Sequence, residues 1–437
     1  MSGKWEQTLS WALRFCAVIY GEDAVALLDE ERTMTALTGR QVVGAAAASR
    51  VGTAGIDQTL SDAVNSRRVP GVVGLATNDR GMIYSGAFGV RRLAQPQAMT
   101  VDSVFWIASM TKAATTVAAM QMVEQGKLKL DQPASEVLPD LASAQVLEGF
   151  DAAGTPRLRP AKRPITLRQL LTHTAGFTYD TFNENAGRYE KQACLPAIIT
   201  CKDDALKTLL AFDPGDRWEY GINVDFAGKM VEKASGKRLE SYFHEHIFVP
   251  LGMTDTSFKL SPSQRERLVT MHARGADGAL KPIEFEMPQA PEFFSGGAGL
   301  YSTGPDYLKF LRMFLNNGSL DGKKVLRPET VAMMGQNQIG NVNVMTLNSV
   351  QPDSSRDVEF FPGIVKKWGL GFLINTETAP TGRSAGSLAW AGIANTYFWI
   401  DQSRNIAGVV LMQFLPFCDA QALQTFADFE SRLYEIT

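Results

Sequence analysis

The chain has 437 residues, with 43 lysines and arginines against 46 aspartates and glutamates, which gives a net charge of −3 at pH 7. This near balance excludes a broad basic surface of the kind that binds nucleic acid or an anionic membrane. No apolar run is long enough to span a bilayer. The best candidate for a targeting segment, residues 9–21, follows Glu6 and is interrupted by Arg14, so we expect a cytoplasmic location.

The cysteines and histidines do not form a metal or disulfide pattern. Four cysteines are too few for a disulfide scaffold in a chain of this length. Cys194 and Cys201 are close enough in sequence to pair in an exported protein, but free thiols are the expected state. His244 and His246 stand two apart on a predicted helix and therefore face different sides. We expect neither a metal nor an organic cofactor.

The first half of the chain supplies clear local signals. Residues 1–50 are interpreted as an N-terminal extension of unknown role, and residues 51–437 as one domain. An amphipathic pattern predicts a helix over residues 56–67. Two apolar runs joined by the turn sequence NDRG, residues 78–81, predict a β-hairpin. A long apolar helix is then predicted within residues 105–128, FWIASMTKAATTVAAMQMVEQGKL.

The domain is predicted to have two parts. Residues 51–135 and 300–437 form an α/β part, and residues 136–299 form a mainly helical part. After residue 365, runs of β-branched and aromatic residues separated by turn residues predict strands, and an amphipathic helix ends the chain. Strands at both ends imply an α/β fold of the α+β type, with a mostly antiparallel sheet built from both chain ends and flanked by helices.

In the mainly helical part, two features stand out. Thr166 and Gln169 have the spacing of a capping box and open a helix that Gly176 closes. His173 falls in its predicted last turn, where a hydrogen-bonded helix-end histidine is the expected role. The basic stretch RLRPAKRP, residues 157–164, is interpreted as a solvated loop.

Ser109 and Lys112 form the most informative pair in the sequence. Three residues apart at the start of the long helix, their side chains share one face. A serine hydroxyl needs a neighbour that takes its proton, and a lysine buried among apolar residues can lose its charge and do so. The free N–H groups of the helix start lie where charge develops on an attacked carbonyl. Ser-x-x-Lys is nevertheless a short pattern, and a capping serine beside a solvated lysine gives the same letters.

Two further stretches can complete such a site. Tyr220 precedes a predicted helix, and a phenol beside a lysine can exchange protons with a serine and a leaving group. Trp390 opens an aromatic, small, glycine triplet in an apolar strand, where a carbonyl can approach the backbone. Ser384 lies in a G-x-S-x-G match, but no histidine follows it, because His272 is the last one. Ser384 is therefore interpreted as a turn residue.

The ordered set of these stretches resembles the serine β-lactamase and penicillin-binding-protein superfamily. More closely, it is similar to the family VIII carboxylesterases, the esterase branch related to class C β-lactamases. The resemblance runs from about residue 56 to the end. It is carried by VFWIASMTK, VLEGFDAAG, ITLRQLLTHTAGF, PGDRWEYGINVDFAGK, PLGMTDTSF, FFSGGAGLYS and GSLAWAGIANTYFWID.

The resemblance implies roles for individual residues and a β-lactamase-like fold. Ser109 would be the nucleophile, Lys112 its general base and Tyr220 the proton-relay partner. The oxyanion hole would be the backbone N–H groups of Ser109 and Ile393. Trp390, with the two residues after it, stands where the lactamases carry Lys-Thr-Gly and would contact the substrate.

Two departures from the lactamase pattern affect the substrate. Trp390-Ala391-Gly392 lacks the lysine that helps to hold a substrate carboxylate, and a charge-assisted hydrogen bond is worth about 1.5–3 kcal/mol. Neutral esters should therefore be preferred over β-lactams. The asparagine expected two residues after the tyrosine is replaced by isoleucine, which leaves Asn223 or Asp225 to supply its contacts to the substrate.

These observations predict a serine carboxylesterase that hydrolyses short-chain acyl esters of small molecules through an acyl-enzyme, with at most weak action on cephalosporins. The first alternative is an acyltransferase of the statin-polyketide type, which YGINVDFAGK and VLEGFDAAG also resemble. A β-lactamase or DD-peptidase is a further alternative, disfavoured by Trp390. A non-enzymatic penicillin-recognising protein is the last, disfavoured by the presence of Ser109, Lys112 and Tyr220.

Overall fold

The two ends of the described chain meet in one antiparallel sheet. A computed structural model describes residues 50–437, so the predictions for residues 1–49, including the segment 9–21, lie outside the described residues. The described strands are β1 (Gly71–Thr77), β2 (Met82–Gly89), β3 (Val104–Trp106), β4 (Gln145–Phe150), β5 (Pro156–Pro160), β6 (His272–Arg274), β7 (Leu280–Pro282), β8 (Tyr301–Thr303), β9 (Ser319–Leu320), β10 (Lys323–Lys324), β11 (Lys366–Trp368), β12 (Leu373–Asn375), β13 (Leu388–Gly392), β14 (Thr396–Asp401), β15 (Ile406–Leu411) and β16 (Phe414–Leu415). In the largest sheet, the strands lie in the order β11-β12-β13-β14-β15-β1-β2.

Pairing in the sheet joins N-terminal to C-terminal sequence. In the register of β1, Val73 pairs with Leu411 of β15, and Gly74 pairs with Gly86 of β2. Every strand pair of this seven-stranded sheet is antiparallel. The predicted fold, a mostly antiparallel sheet built from both chain ends with flanking helices, is confirmed.

Helices cover both faces of the sheet. Consecutive residues of a strand face opposite sides, and the surroundings of β1 show this directly. A Cβ atom built on Gly74 would lie 2.9 Å from Phe429 of the C-terminal helix. On the other face, a Cβ built on Gly304 would lie 2.3 Å from Leu75. The helices are α1 (Arg50–Asn65), α2 (Thr111–Glu124), α3 (Leu167–Leu171), α4 (Glu184–Gln192), α5 (Asn223–Ser235), α6 (Leu239–Phe243), α7 (Val249–Leu251), α8 (Pro262–Glu266), α9 (Gly304–Leu315), α10 (Pro328–Met334) and α11 (Ala420–Ile436).

Helix α2 is buried on every side over its first twelve residues, 111–122. A helix that is apolar all round belongs in the interior, and α2 packs against α5. Glu124 is its last residue, and Gly126 follows with φ 69°. Its predicted position and character are confirmed. Among residues 50–437, no helix combines the length and hydropathy that a bilayer span requires.

Segment 136–299 departs from the sequence predictions in two places. The capping box of Thr166 and Gln169 is present, but α3 ends at Leu171. His173 therefore lies beyond the helix, with φ 56°, and the prediction that it belongs to the last turn is wrong. The basic stretch is not entirely a loop, since β5 pairs with β4 and Arg159 forms an ion pair with the buried Asp213.

Candidate active site

Ser109 lies on a tight turn between a strand and the buried helix α2. The turn is a 3₁₀ segment, Ala108–Met110, and Ala108 has φ 45°. A left-handed conformation at a residue with a side chain costs of the order of 1–3 kcal/mol and persists only where neighbours enforce it. Here the N–H of Ile107 donates to Leu300 O at 3.0 Å, and the phenol of Tyr307 donates to Met110 O at 3.0 Å. The turn holds Ser109 half-buried at the N-terminal end of α2.

Lys112 points inward from the first turn of α2 and is 1% exposed. Its Nζ lies 3.1 Å from Ser109 Oγ, 3.1 Å from Tyr179 Oη and 2.8 Å from Gly297 O. Burial lowers the pKa of Lys112 to about 7, and the charge of Asp225 opposes part of that change. Near neutral pH the amine is therefore present in both its charged and its neutral form, as a residue that accepts and returns a proton must be.

Tyr220 also lies next to Ser109. It lies three residues before α5, is 6% exposed and hydrogen-bonds to Ser109. Lys112 Nζ lies 4.7 Å from the centre of its ring, and the indole N–H of Trp390 donates to its oxygen at 3.0 Å. Burial raises the pKa of Tyr220, so the phenol keeps its proton at neutral pH. The structure thus brings together the three residues that the sequence singled out.

Tyr179 is a site residue that the sequence did not reveal. Its hydroxyl is 3.1 Å from Lys112 Nζ, and its ring centre is 5.3 Å from that of Tyr220. Burial raises the pKa of Tyr179 well above its usual value, and this hydroxyl is also neutral. The residue stands in a loop after α3, where no helical or strand period relates it to Lys112. The sequence signal that could have identified Tyr179 was its position two residues after the motif ITLRQLLTHTAGF.

The glycine of the third stretch packs on the serine turn. A Cβ atom built on Gly392 would lie 2.4 Å from Ile107 O and 3.2 Å from Ala108 Cβ, so only glycine lets β13 approach this closely. Ser109 directly follows Ala108 in the sequence, and Ile393 directly follows Gly392. The two N–H groups predicted to form the oxyanion hole therefore belong to neighbouring backbone segments, as the donors of such a site must.

The first two residues of the triplet are buried. Trp390 is 5% exposed and Ala391 is 2% exposed. The indole N–H of Trp390 is bonded to Tyr220, and its ring contacts Trp368 at 4.7 Å between centres and Phe360 at 6.1 Å. Trp390 is thus placed to hold Tyr220 in position, and its predicted contact with a substrate stays a prediction.

Asn223 and Asp225 are buried beside the site. Asn223 is fully buried, and its amide group donates to Phe177 O at 2.9 Å and lies 3.1 Å from His173 Nδ1. Asp225 is 2% exposed and accepts hydrogen bonds from Ser295 Oγ and Gly297 N. The hydrogen bonds of both side chains are with the protein, and their predicted contact with the substrate stays a prediction.

His173 packs against the ring of Tyr220. It is fully buried, its ring centre lies 4.6 Å from that of Tyr220, and its Nδ1 accepts from Gly221 N at 3.4 Å. Burial, and then the charge of Lys112, lower its pKa well below the usual value, so the ring is neutral. His173 therefore packs against the catalytic candidates without sharing their protons.

The remaining candidates lie apart from this cluster. Ser384 uses its backbone: its N–H donates to Asp401 at 2.8 Å and its carbonyl accepts from Asn375 at 2.9 Å. It sits between β12 and β13, in the turn role that was predicted. Cys194 is exposed and Cys201 is buried, and both are free thiols.

Comparison with known proteins shows to which family the chain belongs. The β-lactamase family model matches residues 56–428. The chain belongs to the β-lactamase family. This confirms the predicted superfamily and makes the protein an enzyme of the serine-hydrolase type.

Within the family, its relatives include enzymes that transfer or release acyl groups. It is 34% identical to the monacolin J acid methylbutanoyltransferase of Aspergillus terreus over 85% of this chain and 93% of that protein. It is 33% identical to the lovastatin esterase of Penicillium rubens, over 82% and 92% of the two chains. The unliganded structure of simvastatin synthase from Aspergillus terreus superposes with a TM-score of 0.75 and 32% identity, covering 89% of this chain and 98% of that one.

Proposed function

We propose that this member of the β-lactamase family is a serine acyltransferase. It would carry a short acyl group on Ser109 and pass it to the hydroxyl of an apolar alcohol. Ester hydrolysis is the same reaction with water as the acceptor, so the esterase predicted from sequence becomes the second candidate function. The observation that carries the proposal is Lys112, which is buried, bonded to Ser109 and close to half-protonated at neutral pH.

In the first half-reaction, neutral Lys112 takes the proton of Ser109 Oγ as that oxygen attacks the acyl carbonyl carbon. The N–H groups of Ser109 and Ile393 would hold the resulting oxyanion. As the bond to the leaving alcohol breaks, Tyr220 gives that oxygen its proton and regains one from Lys112. The products are an acyl ester of Ser109, a free alcohol and neutral Lys112.

The second half-reaction runs in reverse with a new alcohol. As its oxygen attacks the acyl carbon, its hydroxyl proton passes to Tyr220 while Tyr220 gives its own proton to neutral Lys112. Lys112 then returns that proton to Ser109 Oγ as the bond between Ser109 and the acyl carbon breaks. Whether an alcohol or water enters decides between transfer and hydrolysis. The relatives support transfer: methylbutanoyltransferases of Aspergillus terreus and Penicillium citrinum are 34% and 30% identical to this chain, and the lovastatin esterase is 33% identical.

Cleavage of β-lactams is not favoured by the site. A β-lactamase of the usual pattern has a lysine at position 390 to hold the substrate carboxylate. Here Trp390 offers an indole N–H that is already bonded to Tyr220. The site therefore lacks that cation, which supports neutral esters as substrates.

The test is a competition between two acceptors. The enzyme is given p-nitrophenyl 2-methylbutanoate as acyl donor in the presence of monacolin J acid, and the new ester and free methylbutanoic acid are quantified by mass spectrometry. We expect ester to exceed acid at millimolar acceptor. Acid as the main product at every acceptor concentration would favour the esterase instead.

Two serine variants serve as a matched pair. Ser109→Ala should abolish both products, because it removes the atom that carries the acyl group. Ser384→Ala makes the same change in the other serine motif and should retain activity. Retained turnover in Ser109→Ala would overturn the assignment of the nucleophile.

A further inference from the structure

A carboxylate is buried close to Lys112 without touching it. Asp225 lies in the first turn of α5 and is 2% exposed. Its Oδ1 accepts from Ser295 Oγ at 2.8 Å and from Gly297 N at 2.9 Å, whereas its Oδ2 is buried and has no hydrogen-bond partner among the described residues. A buried charge in this state is costly unless another charge compensates it.

Gly297 stands between the two charges. Its carbonyl accepts from Lys112 Nζ at 2.8 Å, and its N–H donates to Asp225. A Cβ atom built on Gly297 would lie 2.4 Å from Asp225 Oδ2, so the close approach requires glycine. The loop SGGAG, residues 295–299, thereby links the ammonium group of Lys112 to the carboxylate of Asp225 through the backbone of Gly297.

The charges that act on this pair can be read from its neighbours. Burial raises the pKa of Asp225, and the charge of Lys112 opposes this; in turn, Asp225 raises the pKa of Lys112 against the effect of burial. The other titratable side chains facing the pair are neutral at pH 7, and they are Tyr179, Tyr220, His173 and Cys201. The negative charge that acts on Lys112 from its surroundings is therefore the carboxylate of Asp225.

We propose that Asp225 is a positioning residue of the reaction, which sets the charge of Lys112 through Gly297 and so fixes the pH at which Ser109 becomes a nucleophile. This rests on the proposed roles of Ser109 and Lys112. The negative charge favours the ammonium form, so that a proton is at hand for the leaving group. It also holds Gly297 O where Lys112 needs an acceptor.

The sign of the effect follows from the charges. Removing the carboxylate charge makes the ammonium form of Lys112 less favourable and lowers the pKa of the amine. The neutral amine, which activates Ser109, then persists to lower pH. A nearby opposite charge typically moves a pKa by 1–3 units, and the indirect contact here places the effect at about one unit.

The test measures Ser109 itself, independent of any acyl acceptor. The second-order rate of labelling by a fluorophosphonate is recorded from pH 5 to pH 9 for the full chain and for Asp225→Asn, which keeps an oxygen for Ser295 and Gly297. We expect the acidic limb of Asp225→Asn to move down by about one pH unit. Asp277→Asn makes the same change at an exposed turn residue, and its limb should coincide with that of the unmodified chain.

A second variant covers the case in which Asp225→Asn does not fold. Ser295→Ala removes one hydrogen bond from the carboxylate, so protonation of Asp225 becomes easier and the limb should move down by a smaller amount. An acidic limb that stays in place while only the plateau falls would show a merely structural role and reject the inference. If the unmodified chain is not labelled at all, the proposed function fails, and this inference fails with it.

Discussion

The indole N–H of Trp390 donates to the phenol oxygen of Tyr220 across 3.0 Å, and both side chains are buried. In the lactamase pattern the first position of this triplet is a lysine that faces the substrate. Here a neutral donor at the same position orients the tyrosine, and the strand β13 places both Trp390 and the N–H of Ile393 at the serine. The single difference between lysine and tryptophan at this position therefore removes a cation and supplies a hydrogen bond that orients Tyr220.

Trp390→Phe should lower kcat for p-nitrophenyl butyrate about tenfold and change KM less. The phenylalanine keeps most of the packing but removes the hydrogen bond to Tyr220, and such a bond between buried groups is worth about 1–1.5 kcal/mol. Steady-state kinetics measure the effect. Trp368→Phe is the matched control, because its indole N–H donates to Leu171 O and does not reach Tyr220. Equal losses in the two variants would contradict the role assigned to Trp390.

Tyr179→Phe should lower kcat/KM by about tenfold. Lys112 loses one of its three acceptors, so the ammonium form is less stabilised and the amine is less well oriented toward Ser109. Initial rates on p-nitrophenyl butyrate at pH 8, where the amine is neutral in both proteins, isolate the effect of orientation. Tyr189→Phe, on α4, is the control and should retain full activity. An unchanged rate in Tyr179→Phe would show that this tyrosine lies beside the site without contributing to it.

The parts of the site that lie within regular elements were predictable. Ser109 and Lys112 are one turn apart, and the period of a helix puts them on one face whatever surrounds them. The apolar runs at both chain ends predicted a common sheet, because strands of that composition need partners and a covered face. Trp390 and Gly392 were located for the same reason, within a strand.

The parts that depend on loops were not predictable. Tyr179 reaches Lys112 from an irregular segment, and His173 adopts a left-handed conformation that no sequence period announces. The orientation of Asn223 was not predictable either, because spacing places a residue near a site but does not say which way its side chain points. Tertiary contacts, here with His173 and Phe177, decided that question.

Activity should rise with pH through about 7. Burial lowers the pKa of Lys112 to about 7, and the neutral form is the base, so kcat/KM falls below that pH and levels off above it. The raised pKa of Tyr220 keeps the phenol protonated over the same range. The profile is measured on p-nitrophenyl butyrate from pH 5 to pH 9, with the rate of Ser109→Ala subtracted at each pH. If kcat/KM instead rises only near pH 10, Lys112 has the pKa of an exposed lysine.

A buried ion pair joins the C-terminal helix α11 to the loop that precedes β13. Arg383 Nε lies 2.5 Å from Glu430 Oε1, and the two side chains are 2% and 0% exposed. The guanidinium also lies 5.5 Å from the ring centre of Trp399 and 5.7 Å from that of Phe426. The pair is remote from solvent, so its charges depend on each other.

Arg383→Met should therefore lower the free energy of unfolding by about 3–5 kcal/mol, because Glu430 is left buried without a counter-charge. Urea denaturation followed by tryptophan fluorescence measures it. Arg432→Met, which breaks the exposed pair with Glu435, should cost less than about 1 kcal/mol. The double variant Arg383→Met with Glu430→Leu should recover most of the loss, since no charge remains buried. If Arg383→Met unfolds at the same urea concentration as the original chain, the ion pair does not contribute to stability as proposed.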